Sequence, residues 1–352
     1  MPSLFDPIQI GDLKLPNRIF MAPLTRCRAI DRRIPNALMA EYYAQRSSAG
    51  LIFSEATSIS SMGVGYPDTP GIWSEEQIQG WKMITSAVHD KGGQMLLQLW
   101  HVGRISDPFY LNGAIPVAPS AIKPAGNVNL IRPKKEFVTP RALDIDELPG
   151  IIEEFIQGAL NAKEAGFDAV EVHAANGYLL DQFLQDSTNK RTDAYGGSIE
   201  NRARLMLEVV DAVVSVWGNR KVGMHLAPRG DSNSIGDSNP RATFSYVAQE
   251  LGKRKIAFIC ARESMGLNRL GPELKKIFGG VYIANEGFTQ ETAQAALDAG
   301  EADAIAFGKQ FIANPDLPKR FAENAELNTP DPNTFYGSGK EGYTDYPSLI
   351  LK

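Results

Sequence analysis

The chain has 352 residues, 43% of them apolar and 22% charged, with a formal net charge of −5. That length fits one large barrel with insertions at least as well as two domains, and it supplies a core that needs no disulfide staple. The acidic balance, with no Lys/Arg block, sets nucleic acid and anionic membrane aside as partners.

Met1 to Asp6 has neither a basic start nor an apolar core, and no apolar run approaches membrane-spanning length, so a soluble cytoplasmic protein is expected. Cys27 and Cys260 lie far apart with no CxxC spacing. They fit a reducing compartment and argue against zinc or iron–sulfur centres, so no metal is expected.

In chain order, Ile8 to Leu15 reads as a hairpin around Gly11-Asp12, placed as a plug beneath a barrel floor. Eight candidate strands follow: Ile19–Ala22, Leu51–Glu55, Gln94–Leu99, Ala169–His173, Lys221–Leu226, Ile256–Cys260, Val281–Ala284 and Ala304–Gly308. Several are near-continuous apolar runs, as strands buried on both faces are. Between them, Ile199, Ala203, Met206, Val210, Val213 and Trp217 recur at helical spacing behind Ser198 as N-cap. Helices are also expected over Ser74–Lys91, Ile145–Ala165, Thr243–Arg254, Thr289–Ala299 and Leu317–Asn324. Strands alternating with helices, eight times, predict a (β/α)8 TIM barrel forming one domain over 1–352. Two stretches exceed ordinary connections: His101 to Asp144, rich in Pro and Gly, and the tail from Asn328 to Lys352.

The fourth strand carries the densest chemistry. Asp168 to Val172 alternates and runs directly into His173-Ala174-Ala175-Asn176-Gly177-Tyr178. Two N–H donors beside a phenol can stabilise an enolate or nitronate and then protonate its carbon. The same His and Asn could instead satisfy loop backbone groups. After the seventh strand stands Asn285-Glu286-Gly287-Phe288, and Gly308-Lys309 follows the eighth. Barrels bind phosphate with these two loops, although glycines there are also ordinary turn residues.

The runs Leu179 to Leu184, Asn189 to Asp193 and Tyr195 to Arg202, with Arg204, resemble the old yellow enzyme family of FMN-dependent ene-reductases. The resemblance extends over nearly the whole chain. It implies tightly but non-covalently bound FMN, NADPH or NADH as reductant, and small electrophilic alkenes or nitro compounds as acceptors. His173, Asn176 and Tyr178 are then the catalytic residues. The flavin residues it implies are Pro23, Leu24, Thr25, Ala56, Gln98 and His225 at the ring, with Asn285, Gly287, Gly308 and Lys309 near the phosphate. Tyr66, Trp100 and Tyr336 become substrate contacts, 101–144 a capping subdomain, and the tail a segment returning to the flavin edge. Thr25 stands where a sister branch has cysteine, which points to the threonine branch. His101 is expected to be structural, and His89, beside Asp90 and Lys91, a solvated helix end.

Two departures from the family pattern stand out. Met224-His225-Leu226-Ala227-Pro228 has histidine where the family reads arginine facing flavin N1 and the C2 carbonyl. That leaves three outcomes: His225 held protonated by reduced flavin, Arg229 reaching in, or a lower flavin potential. Lys309 keeps the charge of the usual arginine without its two-pronged donor geometry. Among rivals, a flavoenzyme joined to further redox domains lacks its cysteine cluster here. A flavin-free aldolase or isomerase barrel wants a strand-end lysine or paired carboxylates, and Glu55 is the one candidate. A non-catalytic flavin store is the third.

Overall fold

The computed structural model describes residues 1–349. Eight parallel strands form the barrel: β1 (Ile19–Met21), β2 (Ile52–Phe53), β3 (Met95–Trp100), β4 (Ala169–His173), β5 (Val222–Leu226), β6 (Phe258–Arg262), β7 (Val281–Asn285) and β8 (Ala304–Phe307). Their order is β2-β1-β8-β7-β6-β5-β4-β3, and a β2–β3 pairing closes the ring.

Register decides which side chains share the interior. Gln98 pairs with Glu171, His173 with His225, and His225 with Cys260. Because strand side chains alternate, each of these draws its neighbours two residues away onto the same face. The lowest layer is apolar, with Phe20, Phe53, Leu96, Ala169 and Phe258 clustered with Ile10, Leu13 and Leu15 of the N-terminal hairpin. Polar side chains enter the interior only above that layer. The hairpin therefore plugs the floor as expected, with Ile8 opposite Leu15 and Ile10 opposite Leu13. Its turn glycine, Gly11, has φ +55°, and a Cβ there would lie 1.8 Å from the Arg220 carbonyl oxygen, so the turn seats directly on the backbone before β5.

The outer ring comprises α1 (Ala37–Gln45), α2 (Glu75–His89), α3 (Leu148–Glu164), α4 (Ile199–Trp217), α5 (Pro240–Arg254), α6 (Gly271–Phe278), α7 (Gln290–Asp298) and α8 (Leu317–Ala322). The Ser198 hydroxyl accepts from the Asn201 N–H, and Ala203, Met206, Val210, Val213 and Trp217 are buried along the inner face of α4. α5 begins three residues earlier than its apolar pattern suggests, because the Asn239 side chain caps Ala242 N–H and Pro240 occupies the first turn. α1 and α6 were not among the expected helices. α1 buries adjacent pairs, Met39-Ala40 and Tyr42-Tyr43, which blurs its period, and α6 is only eight residues long. His89 is not simply solvated: its Nε2 lies 3.0 Å from Asp168 Oδ2, joining the end of α2 to the foot of β4.

The two long stretches both reach the mouth. Within 101–144, Val117–Ala118 pairs in parallel with Arg141–Ala142, and Val128 and Phe137 pack with Ala56, Trp100, Val102 and Ile105. The tail is held by two arginines that follow β1. Arg26 donates to the carbonyls of Phe335 and Gly342, and Arg28 to those of Gly339 and Glu341. Tyr343 stacks on Tyr42 with ring centroids 3.9 Å apart. Burying guanidinium is costly unless its donors are satisfied, and here the tail's carbonyls satisfy them. No helix among the described residues is long and apolar enough to cross a membrane.

Candidate active site

β4 ends at His173, and the chain then turns through Asn176, which holds a left-handed φ of +58°. The Ala175 N–H donates to His173 Nδ1 at 3.3 Å, so the ring proton resides on Nε2. Burial, then His225, then Arg262 push the imidazole's pKa well below its usual value. His173 is therefore a neutral N–H donor. The Asn176 carboxamide is oriented from behind, since Arg262 Nη1 donates to its Oδ1 at 3.0 Å, while Nδ2 has no partner among the described residues.

Tyr178 completes the group. Its ring stands edge-on to His173, 5.1 Å between centroids, and edge-on to Trp100, also 5.1 Å. Its hydroxyl lies 2.7 Å from that of Tyr66. Burial raises the phenol to about 12, while hydrogen bonds from Tyr66 and Asn233 act in the opposite sense. Tyr178 is therefore protonated at neutral pH, and the Tyr66 hydroxyl is placed to donate to its oxygen once that proton has left. Trp100 lies behind, 6.4 Å from the His173 ring and 5.5 Å from that of Tyr66, and its buried Nε1 has no partner among the described residues. Tyr336 is half exposed and near enough to both Tyr66 and Tyr178 to raise their pKa values.

Beside this group, Pro23, Leu24 and Thr25 are half-buried after β1, and the Thr25 hydroxyl has no hydrogen-bond partner among the described residues. Gly308 follows β8, where a Cβ would come within 3.3 Å of Leu24 Cδ2, and Lys309 is exposed. Gly287 adopts φ +81°. Asn285 differs from its neighbours in being engaged, because its Nδ2 donates to the Ala306 carbonyl at 2.7 Å.

Below the mouth lies a polar chain. Gln98 Nε2 donates to Glu171 Oε2 at 2.7 Å, and His225 Nδ1 is 3.2 Å from Glu171 Oε1. All three residues are buried. Cys260 borders them, with its thiol pushed well above the usual range by burial and by Glu171, so it stays protonated. Arg229 does not reach in. Its Nε donates to Glu263 at 2.6 Å, and its Nη atoms to the carbonyls of Ser264 and Leu267. His101 Nδ1 accepts from Gly103 N–H, burial lowers its pKa to about 4, and its buried Nε2 has no partner among the described residues.

Known proteins resemble this chain over nearly its whole length. The NADH:flavin oxidoreductase / NADH oxidase family profile matches residues 3–328. 12-oxophytodienoate reductase 1 of Oryza sativa subsp. japonica is 44% identical over 98% of this chain and 93% of its own length. Flavin oxidoreductase hxnT of Emericella nidulans is 44% identical over 99% and 98%. The structure superposes on the old yellow enzyme homologue from Zymomonas mobilis with a TM-score of 0.97 at 48% identity, covering 99% of this chain and 100% of that one. Morphinone reductase in complex with tetrahydroNAD gives 0.96 at 50% identity, covering 99% and 98%. The chain belongs to the old yellow enzyme family. It is a flavin oxidoreductase built on a TIM barrel.

Within this old yellow enzyme, sequence reasoning overlooked two residues. Glu171 is the interior partner of both Gln98 and His225, and its alternation with His173 was the available signal. Arg262 was missed because the expected sixth strand stopped at Cys260, whereas β6 continues two residues further and turns Arg262 onto the interior face.

Glu55, the lone strand-end carboxylate of the aldolase alternative, has a different task. It accepts the Arg26 N–H at 3.1 Å and lies against the Tyr43 hydroxyl, fixing the turn that carries Thr25. Burial raises it to about 7. The native state thus keeps a proton that the unfolded chain releases in the ordinary carboxylate range. Its contribution to stability is complete below that range and is lost as pH rises through about 7. Denaturant midpoints followed against pH are expected to fall over this window, and Glu55→Gln to flatten the fall. An equal slope in the variant removes Glu55 as its source.

Proposed function

We propose that this protein binds FMN tightly but non-covalently and uses NADPH or NADH to reduce activated C=C bonds. The acceptor class is α,β-unsaturated carbonyls, maleimides and nitroalkenes, together with nitro and nitrate-ester compounds. Reductant and acceptor take turns at one mouth, in ping-pong order.

The residues fit the flavin. Half-buried Pro23, Leu24 and Thr25, whose hydroxyl has no partner among the described residues, offer with the small, buried Ala56 a shelf for a flat ring. Gln98 and His225 present amide and imidazole from below, joined through Glu171. Near the loops after β7 and β8, Gly287 and Gly308 leave room for backbone N–H groups to approach a phosphate, and Lys309 adds a positive charge. Asn285 supports that region through its bond to β8. When bound, the flavin supplies hydride to the acceptor's β-carbon after accepting it from the nicotinamide.

The protein's own residues do the rest. His173 Nε2–H and Asn176 Nδ2–H grip the carbonyl or nitro oxygen and lower the energy of the negative charge that gathers there. Tyr178 gives its proton to the α-carbon, and Tyr66 and Asn233 hold the oxygen left behind. Trp100, Tyr66 and Tyr336 provide aromatic walls, and residues 101–144 cover the mouth and limit water.

One observation carries this reading: a neutral imidazole donor and a carboxamide clamped by its acceptor end share one opening with a protonated phenol. Purified protein is expected to show a flavin spectrum that NADPH bleaches under anaerobic conditions and an enone restores. A folded, colourless preparation that refuses FMN overturns it. Bleaching without recovery on any acceptor indicates a flavin store instead.

A further inference from the structure

Arg262 stands at the top of the interior face of β6, two residues above Cys260, and is half-exposed at the mouth. Its two arms have different partners: Nη1 donates to Asn176 Oδ1 at 3.0 Å and Nη2 to Glu286 Oε1 at 2.9 Å. We propose that Arg262 is a positioning residue for the reaction, which with Glu286 as anchor selects the donor end of the Asn176 carboxamide for the reacting oxygen.

An asparagine side chain is ambivalent, because its two ends have nearly the same shape but opposite hydrogen-bonding character. Only the Nδ2 end lowers the energy of an oxyanion; the Oδ1 end would repel one. Guanidinium has donors and no acceptor, so a flipped carboxamide would set N–H against N–H at Arg262. The charge-assisted bond therefore excludes the wrong orientation. Asn176 has little freedom to escape by moving its backbone, since its carbonyl accepts from Asn233 Nδ2 at 2.8 Å.

Glu286 holds the other arm. It follows β7 with φ +90°, a conformation that costs a residue bearing a Cβ and that persists where surroundings impose it. The partly exposed ion pair adds little to stability by itself, but it fixes the second arm of the guanidinium, so that the first stays aimed at the carboxamide. The same charge helps to keep His173 unprotonated. Arg262 thus reaches one donor by a bond and the other through its field.

This inference rests on the reading of the mouth as an oxyanion site, and the test separates the two. Pentafluorophenolate, fully ionised at neutral pH, offers an acceptor and no donor. Its binding to the flavin-loaded protein is followed by the change in visible absorbance for wild type, R262M, N176A and the double variant. R262M is expected to weaken binding ~10–100-fold, about what one charge-assisted hydrogen bond can contribute to holding the carboxamide. In the N176A background the same change is expected to have no further effect, and R262K to recover part of the loss. Wild-type binding left within twofold by R262M, or losses that multiply in the double variant, overturns the proposal alone. A wild type that binds no phenolate overturns the oxyanion reading and this inference with it. If R262M loses its flavin, the cycle is run with Glu286→Gln, which keeps a hydrogen bond and loosens the clamp. A smaller loss that vanishes with N176A supports the proposal, and a loss that persists there refutes it.

Discussion

Tyr178→Phe is expected to leave reduction of the flavin by NADPH nearly unchanged and to slow reoxidation by a cyclic enone by ~10²–10⁴-fold, the span typical of a lost general acid. The asymmetry follows from the geometry. In the proposed reaction the phenol is the proton source; burial raises it to about 12, and its oxygen lies 2.7 Å from the Tyr66 hydroxyl. Hydride arriving from a nicotinamide needs no proton from it, whereas the carbanion formed on an enone does. Phe keeps the edge-on packing against His173 and Trp100, so the pocket keeps its shape. Anaerobic stopped-flow measurement of each half-reaction separates the two steps. Quinone acceptors, whose product oxygens take protons from water, are expected to lose much less. An enone half-reaction at the wild-type rate would remove Tyr178 from the mechanism.

The parts of this protein that were legible in its sequence are those whose signals are local. β4 alternates, and its polar cluster follows within a few residues, so strand, turn and donors are read together. The cap of α4 is equally local, one serine and its following turn. What was not legible depends on register across strands. Gln98 was visible as an amide that must find a partner, but that the partner is Glu171 follows only from the pairing of β3 with β4. His225 was visible as a departure from the family pattern. Its bond to Glu171, and the engagement of Arg229 with the loop after β6, required the folded chain. Arg262 shows the cost of a boundary error, since ending β6 two residues early turns an interior residue into a loop residue. At Asn285, which the family resemblance places near the phosphate, one amide N–H donates to the Ala306 carbonyl, a contact that only the pairing of β7 with β8 reveals.

His173→Ala is the second change with a large expected effect, ~10²–10³-fold in enone turnover, the usual loss when one oxyanion donor is removed. The imidazole cannot be replaced by its neighbour. His225, 5.4 Å away between ring centroids, is turned to Glu171 through Nδ1. Asn176 contributes its own donor but is held by Arg262 and cannot serve two positions. Because His173 accepts the Ala175 N–H and is pushed well below its ordinary pKa, it stays a neutral donor at and above the usual histidine range. Protonation of His173 becomes complete only below that range, so lowering pH through it should leave this donor intact. The wild-type enone half-reaction is therefore expected to show no inflection in the ordinary histidine range that His173→Ala abolishes. If such an inflection disappears with the substitution, His173 titrates where its buried setting says it should not, and its part is that of a proton carrier rather than a fixed donor.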